Sequence, residues 1–203
     1  MEKNMNFYEV INKRRTIRQF EQDDDIPKEV IERILTAGLK APSGGNLQQC
    51  ELITITDKDI ILDLAKFVIP TSYNKEAKTP QQEMLKISVP RQRSMIEESN
   101  CVILVLYHKK HEFSDSPNNL GLQEYGSAWT LIENILLAAT YEGLGTGIHV
   151  PGNKEYQQIK DFMKIPYNYY LVAMVLIGYT PENVLLPKKE EVNINNKVHW
   201  NKW

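Results

Sequence analysis

Two cysteines in 203 residues, Cys50 and Cys101, are too few for a disulfide scaffold, and their spacing is not that of a CxxC metal or redox site. Each opens a strand-like run, so both read as buried thiols. No uninterrupted apolar stretch reaches the about 20 residues of a membrane-spanning helix. Met1 to Val10 (MEKNMNFYEV) also lacks the apolar core of a secretory leader, so the expectation is a cytoplasmic protein with no membrane partner. An excess of one charge is missing too. With 24 Lys and Arg against 26 Asp and Glu, the net charge of -2 gives no general attraction for nucleic acid, and any phosphate affinity must be local. There is no G-x-S-x-G motif, no internal repeat and no low-complexity tract. His108 and His111 in HKKH follow a strand with no further ligands nearby and read as surface histidines, while His149 and His199 have no visible triad partners. No metal centre and no covalent catalysis by the protein is expected.

What is present suits a globular chain: 42% hydrophobic and 25% charged residues, read as one domain over residues 1–203 with long arms. A short helix around Phe7 to Asn12 comes first. Pro27 to Lys40 then places Val30, Ile31, Ile34, Leu35 and Leu39 on one helical face, with Pro27 in the first turn. The acidic run Asp23-Asp24-Asp25 before it reads as a solvated turn. Glu51 to Thr56 (ELITIT) alternates like a strand, and Asp57 or Asp59 can cap the helix that follows. Cys101 to Tyr107 and Tyr170 to Tyr179 are nearly all apolar, as strands covered on both faces by helices must be. Glu124 to Tyr141 is apolar almost all the way round and is expected as a buried central helix. The fold class is therefore α/β (α+β) with a central sheet flanked by helices. Residues 69–93 carry three prolines and no steady period, and are treated as a variable lid of unreadable structure. Residues 182–203 are polar and extended yet end in VHWNKW. Trp200 and Trp203 are costly to leave in water, so this arm is expected to dock on a partner subunit.

Three stretches offer chemistry. Lys13-Arg14-Arg15-Thr16-Ile17-Arg18 places four cations and a hydroxyl in six positions. Guanidinium groups bind phosphate bidentately, and residues two apart in an extended segment point the same way, so Arg14, Thr16 and Arg18 can converge on one anion. Taken alone, such a run is more often solvated surface. Between the first long helix and the first strand, Ala41-Pro42-Ser43-Gly44-Gly45-Asn46-Leu47-Gln48 combines a helix stop, glycines that allow close backbone approach, and polar groups suited to a heteroaromatic edge. It reads equally as a helix-ending turn. The third stretch, Gly143 to Gly152 (GLGTGIHVPG), follows a helix instead of a strand and has Val150 where a dinucleotide fingerprint needs its last glycine, so no Rossmann unit is assigned. A helix C-cap at Gly143 or Gly145, then a backbone ribbon whose N–H groups face a flat ligand, is the reading.

In order and wording, RRTIRQF, APSGGNLQ, EGLGTG and the closing PKK…VHWNKW resemble the nitroreductase family over most of the chain except about residues 69–93. The resemblance implies a mostly antiparallel or mixed sheet and a homodimer with exchanged C-terminal arms. It also implies two flavin mononucleotide (FMN) molecules at the subunit interface, NADH or NADPH as electron donor, and a small nitroaromatic or quinone-like acceptor. Carried across, Arg14, Arg15, Thr16 and Arg18 match the arginine-rich FMN motif, with Arg14 and Thr16 toward the phosphate and ribityl chain and Arg18 toward the ring. Pro42, Ser43, Gly44 and Asn46 match the segment that a partner chain lays against the isoalloxazine. Val150, Pro151 and Gly152 match the backbone at flavin N5, where Pro151 has no N–H to offer. Lys188 or Lys189 matches a C-terminal phosphate contact. The sequence departs from the family where Gln49-Cys50 stand in place of Pro-Trp, and Asn74 resembles a flavin-contacting asparagine in a lid that does not align. Since the cofactor carries such chemistry, no catalytic side chain is named.

Overall fold

The computed structural model describes residues 5–22, 24–111, 120–184, 186–187, 189 and 191–203. Asp23 of the acidic run and Lys188 of the candidate site lie outside the described residues.

Local sequence sets the element boundaries. Helix α1 (Phe7–Lys13) starts at a capping box in which Asn6 and Glu9 satisfy each other's backbone N–H. Helix α2 (Lys28–Leu39) buries Ile31 and Ile34, while Leu39 turns outward; Pro27 is the residue before its first turn, not within it. Strand β1 (Cys50–Ile55) leads to α3 (Lys58–Lys66), which Asp57 caps by accepting from the amides of Asp59 and Ile60. The segment expected to be an unreadable lid contains α4 (Pro80–Ser88), capped by Thr79 with proline at its start, and runs into α5 (Gln92–Glu98). Strand β2 (Cys101–His108) is followed by the long helix α6 (Leu120–Tyr141), strand β3 (Gly145–His149), helix α7 (Asn153–Phe162) and strand β4 (Tyr169–Gly178).

The four strands form one antiparallel sheet in the order β1-β2-β4-β3. Side chains alternate across it. From the inner strands, Ile103, Val105, Ala173 and Val175 face α2 and α6, where they meet Ile34, Ile132 and Ile135. Val102, Leu104, Met174 and Leu176 face the other way, onto Ile61, Leu64, Ile96 and Ile159. Both faces of β2 and β4 are thus dry, which explains why their sequences show no polar alternation. Helix α6 is not buried all round as its composition implied: Leu122 and Tyr141 lie at its surface.

The glycine stretch after α6 is the fourth strand, β3, which sequence reading took for a ribbon after a helix cap. Gly143 does end the helix, at φ 82°, but Gly145 is the first residue of the strand and pairs with Gly178. Both thiols sit on strands. Cys101 is fully buried and Cys50 only partly, and burial pushes them up to about 12 and about 11, so neither is a thiolate nucleophile at neutral pH. No helix among the described residues is long and apolar enough to cross a membrane.

Candidate functional site

After α1 the chain runs extended along the free edge of β3. The Ile17 amide donates to the Thr146 carbonyl at 2.7 Å, Thr16 bridges Thr146, and Ile17 and Phe20 are buried. Anchoring these apolar residues leaves Arg14, Arg15, Thr16 and Arg18 along one cleft of about 1330 Å³. The opposite wall is α4, which offers Met84, Leu85 and Ile87, and the rim carries Pro187, Lys189 and Glu191.

Cations outnumber acids here. Arg14, Arg15, Arg18 and Lys189 face only Glu83 and Glu191 among the cleft's lining residues. Arg14 pairs with Glu133 of α6 at 3.5 Å, a partly exposed contact. Arg15 donates to the Pro187 carbonyl, and Lys189 to the Asn12 carbonyl at 3.3 Å, which ties the C-terminal segment back over α1. Arg18 is half-buried and has no acidic partner among the described residues, and burial lowers its proton affinity. A half-buried guanidinium with no acidic partner among the described residues suits an anionic ligand. The donor set fits a ligand with a phosphate at one end and an electron-poor ring at the other: forked cations, a hydroxyl and an apolar wall.

Other residues singled out from the sequence stand elsewhere. Pro42, Ser43, Gly44 and Asn46 do not line this cleft. They form a turn strapped to α6, where the Gly44 amide donates to Ser127 Oγ at 3.0 Å and the Thr130 hydroxyl to the Pro42 carbonyl at 3.1 Å. Gly45, Asn46 and Gln48 adopt positive φ of 58°, 53° and 47°, so the loop has a defined shape. Val150, Pro151 and Gly152 lie at the corner between β3 and α7, with Val150 exposed and the Gly152 amide donating to Glu155 Oε2 at 3.2 Å.

Two features escaped sequence reading. Arg91, in the turn between α4 and α5, donates from Nε and one terminal nitrogen to the Arg18 carbonyl at 3.1 and 2.9 Å, and to Glu98 at 2.5 Å. His149 is not partnerless: Gln92 and Glu155 flank its ring. The contacts of Arg91 with Arg18 and of Gln92 with His149 leave no local pattern, because they span 73 and 57 residues, whereas Glu98 and Glu155 lie 7 and 6 residues from Arg91 and His149. His111 also differs from a bare surface histidine, since its Nδ1 lies 2.6 Å from the buried carboxylate of Glu124.

Residues 11–179 match the model of the Nitroreductase family. The chain belongs to that family. Its fold agrees, with a nitroreductase family protein from Clostridium novyi NT superposing at a TM-score of 0.70 with 27% identity, over 92% of this chain and 89% of that one. A protein of Archaeoglobus fulgidus named "Putative NADH dehydrogenase/NAD(P)H nitroreductase" is 27% identical across 96% of this chain and 97% of its own length. An iodotyrosine deiodinase of Haliscomenobacter hydrossis is 26% identical across 92% of this chain and 85% of its own. Family membership supports an oxidoreductase.

Proposed function

We propose that this nitroreductase-family chain is an FMN-dependent oxidoreductase that draws hydride from NADH or NADPH and delivers it to a small nitroaromatic or quinone-like acceptor. The observation that carries the reading is the cation-rich cleft lined by the half-buried Arg18, which has no acidic partner among the described residues. Bound FMN supplies the hydride chemistry; the protein supplies position and fixed charge. Arg14, Arg15, Thr16 and Lys189 hold the phosphate and ribityl end, with Lys188 as the alternative to Lys189. Arg18 lies toward the ring and favours the negative charge that reduction places there.

In the same reading the backbone from Val150 to Gly152 faces the N5 edge. Pro151 has no N–H and the Gly152 amide is already engaged with Glu155, so Val150 is the donor of choice. Pro42, Ser43, Gly44 and Asn46, which do not line the cleft of their own chain, reach the ring from a second copy of the chain. A homodimer also gives a place to the arm over residues 182–203, whose Val192, Ile194, Trp200 and Trp203 are exposed in the single chain. Burying one such indole ring contributes roughly 4–6 kcal/mol before ordering costs. Helix α4 serves as the lid of what we treat as one domain.

Reductive dehalogenation of an aromatic is the second reading, favoured by the match to the Haliscomenobacter hydrossis deiodinase along most of the chain. Anaerobic mixing of the FMN-loaded protein with each nicotinamide tests the first reading. NADH or NADPH is expected to bleach the flavin band, and a nitroaromatic or quinone to restore it. An unchanged band with both donors contradicts nicotinamide dependence. Flavin that, once chemically reduced, turns over only haloaromatics favours the second reading.

A further inference from the structure

The turn between α4 and α5, with the first residue of α5, reaches the arginine segment and the end of β3 through neighbouring side chains. Arg91 holds the Arg18 carbonyl. The next residue, Gln92, places its Oε1 2.8 Å from His149 Nδ1. His149 is buried at 6% exposure, and its Nε2 lies 2.5 Å from Glu155 Oε1, while the other Glu155 oxygen accepts from the Gly152 amide. The orientation of the Gln92 amide is set independently, because its Nε2 donates to the Ser88 carbonyl at 3.0 Å. Both ring nitrogens of His149 therefore face oxygen acceptors. The imidazole thus bridges the Gln92 amide oxygen and the Glu155 carboxylate.

We propose that Gln92, His149 and Glu155 are positioning residues, a relay centred on a buried histidine that ties the turn after α4 to the Val150–Gly152 corner and fixes the backbone edge that faces the flat ring on the function proposed above. A buried polar chain whose members are all partnered specifies one arrangement of the backbone it joins. The relay starts at Gln92, the first residue of α5, and the preceding Arg91 holds the cationic wall, so that wall and the Val150–Gly152 corner are tied to one short segment. The identity of the ligand as FMN rests on the function proposed above.

The test uses the full chain in two states. In the ligand-free protein, Gln92→Ala is expected to move the backbone amide signals of Val150 and Gly152 through His149 and Glu155. Amide signals that stay where the parent has them overturn the relay, whatever the protein binds. In the FMN-loaded protein, His149→Gln and the milder Glu155→Gln are expected to keep FMN affinity within about threefold of the parent, because the phosphate end is untouched. The rate of flavin reduction at saturating NADH or NADPH is expected to fall about tenfold, with a displaced flavin absorption band. An Asp57→Ala control, which removes a distant helix cap, lowers stability but shifts neither readout. Variants that fold, bind FMN and match the parent in rate and spectrum overturn the positioning role. A parent chain that binds no FMN overturns the proposed function instead and leaves the amide measurement to decide the relay.

Discussion

Replacing Arg14 and Arg18 together by alanine is expected to weaken FMN binding about 10²–10⁴-fold. Charge-assisted hydrogen bonds contribute about 1.5–3 kcal/mol each, so two lost guanidinium contacts amount to roughly 3–6 kcal/mol. Folding should barely notice. The Arg14–Glu133 pair is long and partly exposed, a type worth about 0–1 kcal/mol. The Arg18 side chain has no acidic partner among the described residues to strand, and its removal relieves the cost of holding a charge half out of water. Titrating FMN into the ligand-free variant by fluorescence, beside a thermal melt, separates the two effects. An unchanged melt with affinity lost locates the arginines in the site; affinity within about threefold of the parent removes them from it.

The second large effect is structural and comes from Gly147→Ala. A Cβ there would sit 2.7 Å from the Ile17 carbonyl oxygen and 2.9 Å from Met95 Sδ. The methionine can yield, but the carbonyl belongs to the extended segment held by the Ile17 to Thr146 hydrogen bond. Gly145 is equally confined, since a methyl added there would meet Ile17 Cγ1 at 2.8 Å and Thr180 Oγ1 at 2.3 Å. These two glycines are thus kept bare by the arginine-bearing segment and not by a ligand. Overpacking of this kind costs about 2–3 kcal/mol, which for a chain of this size lowers Tm by about 4–12 °C. FMN affinity should fall with it, as Arg14 to Arg18 are pushed off the sheet edge. Gly152→Ala is the control: φ is -71° and nothing lies within 4 Å of an added methyl, so Tm should stay within about 2 °C. Equal melting of all three proteins contradicts the packing account.

Burial made part of this fold readable and the rest opaque. Strands β2 and β4 announce themselves because both faces are dry, and α3 because Asp57 sits where a cap belongs. Strand β3 did not, since its sequence GTGIH answers to the close approach of Ile17 and not to strand propensity. Helix α4 is short and largely polar, so nothing periodic marked it. At the site, the cations of residues 13–18 were legible as a charge run, but their common cleft depends on Ile17 and Phe20 being anchored. The apolar wall from α4, the Arg91 clamp on Arg18 and the contact of Gln92 with His149 arise only when distant segments meet. The proposed placing of Pro42 to Asn46 opposite a ring bound by a second copy comes only from the resemblance to a family, because no pattern within one chain encodes it.

The visible absorption spectrum of the purified chain, with release and identification of any bound chromophore, tests the central claim most directly. Flavin bands, and FMN released at about one per chain, are the expected result for a cleft built around Arg14, Thr16 and Arg18. A colourless protein that also takes up no added FMN would contradict the account and assign the cationic cleft to a different anion.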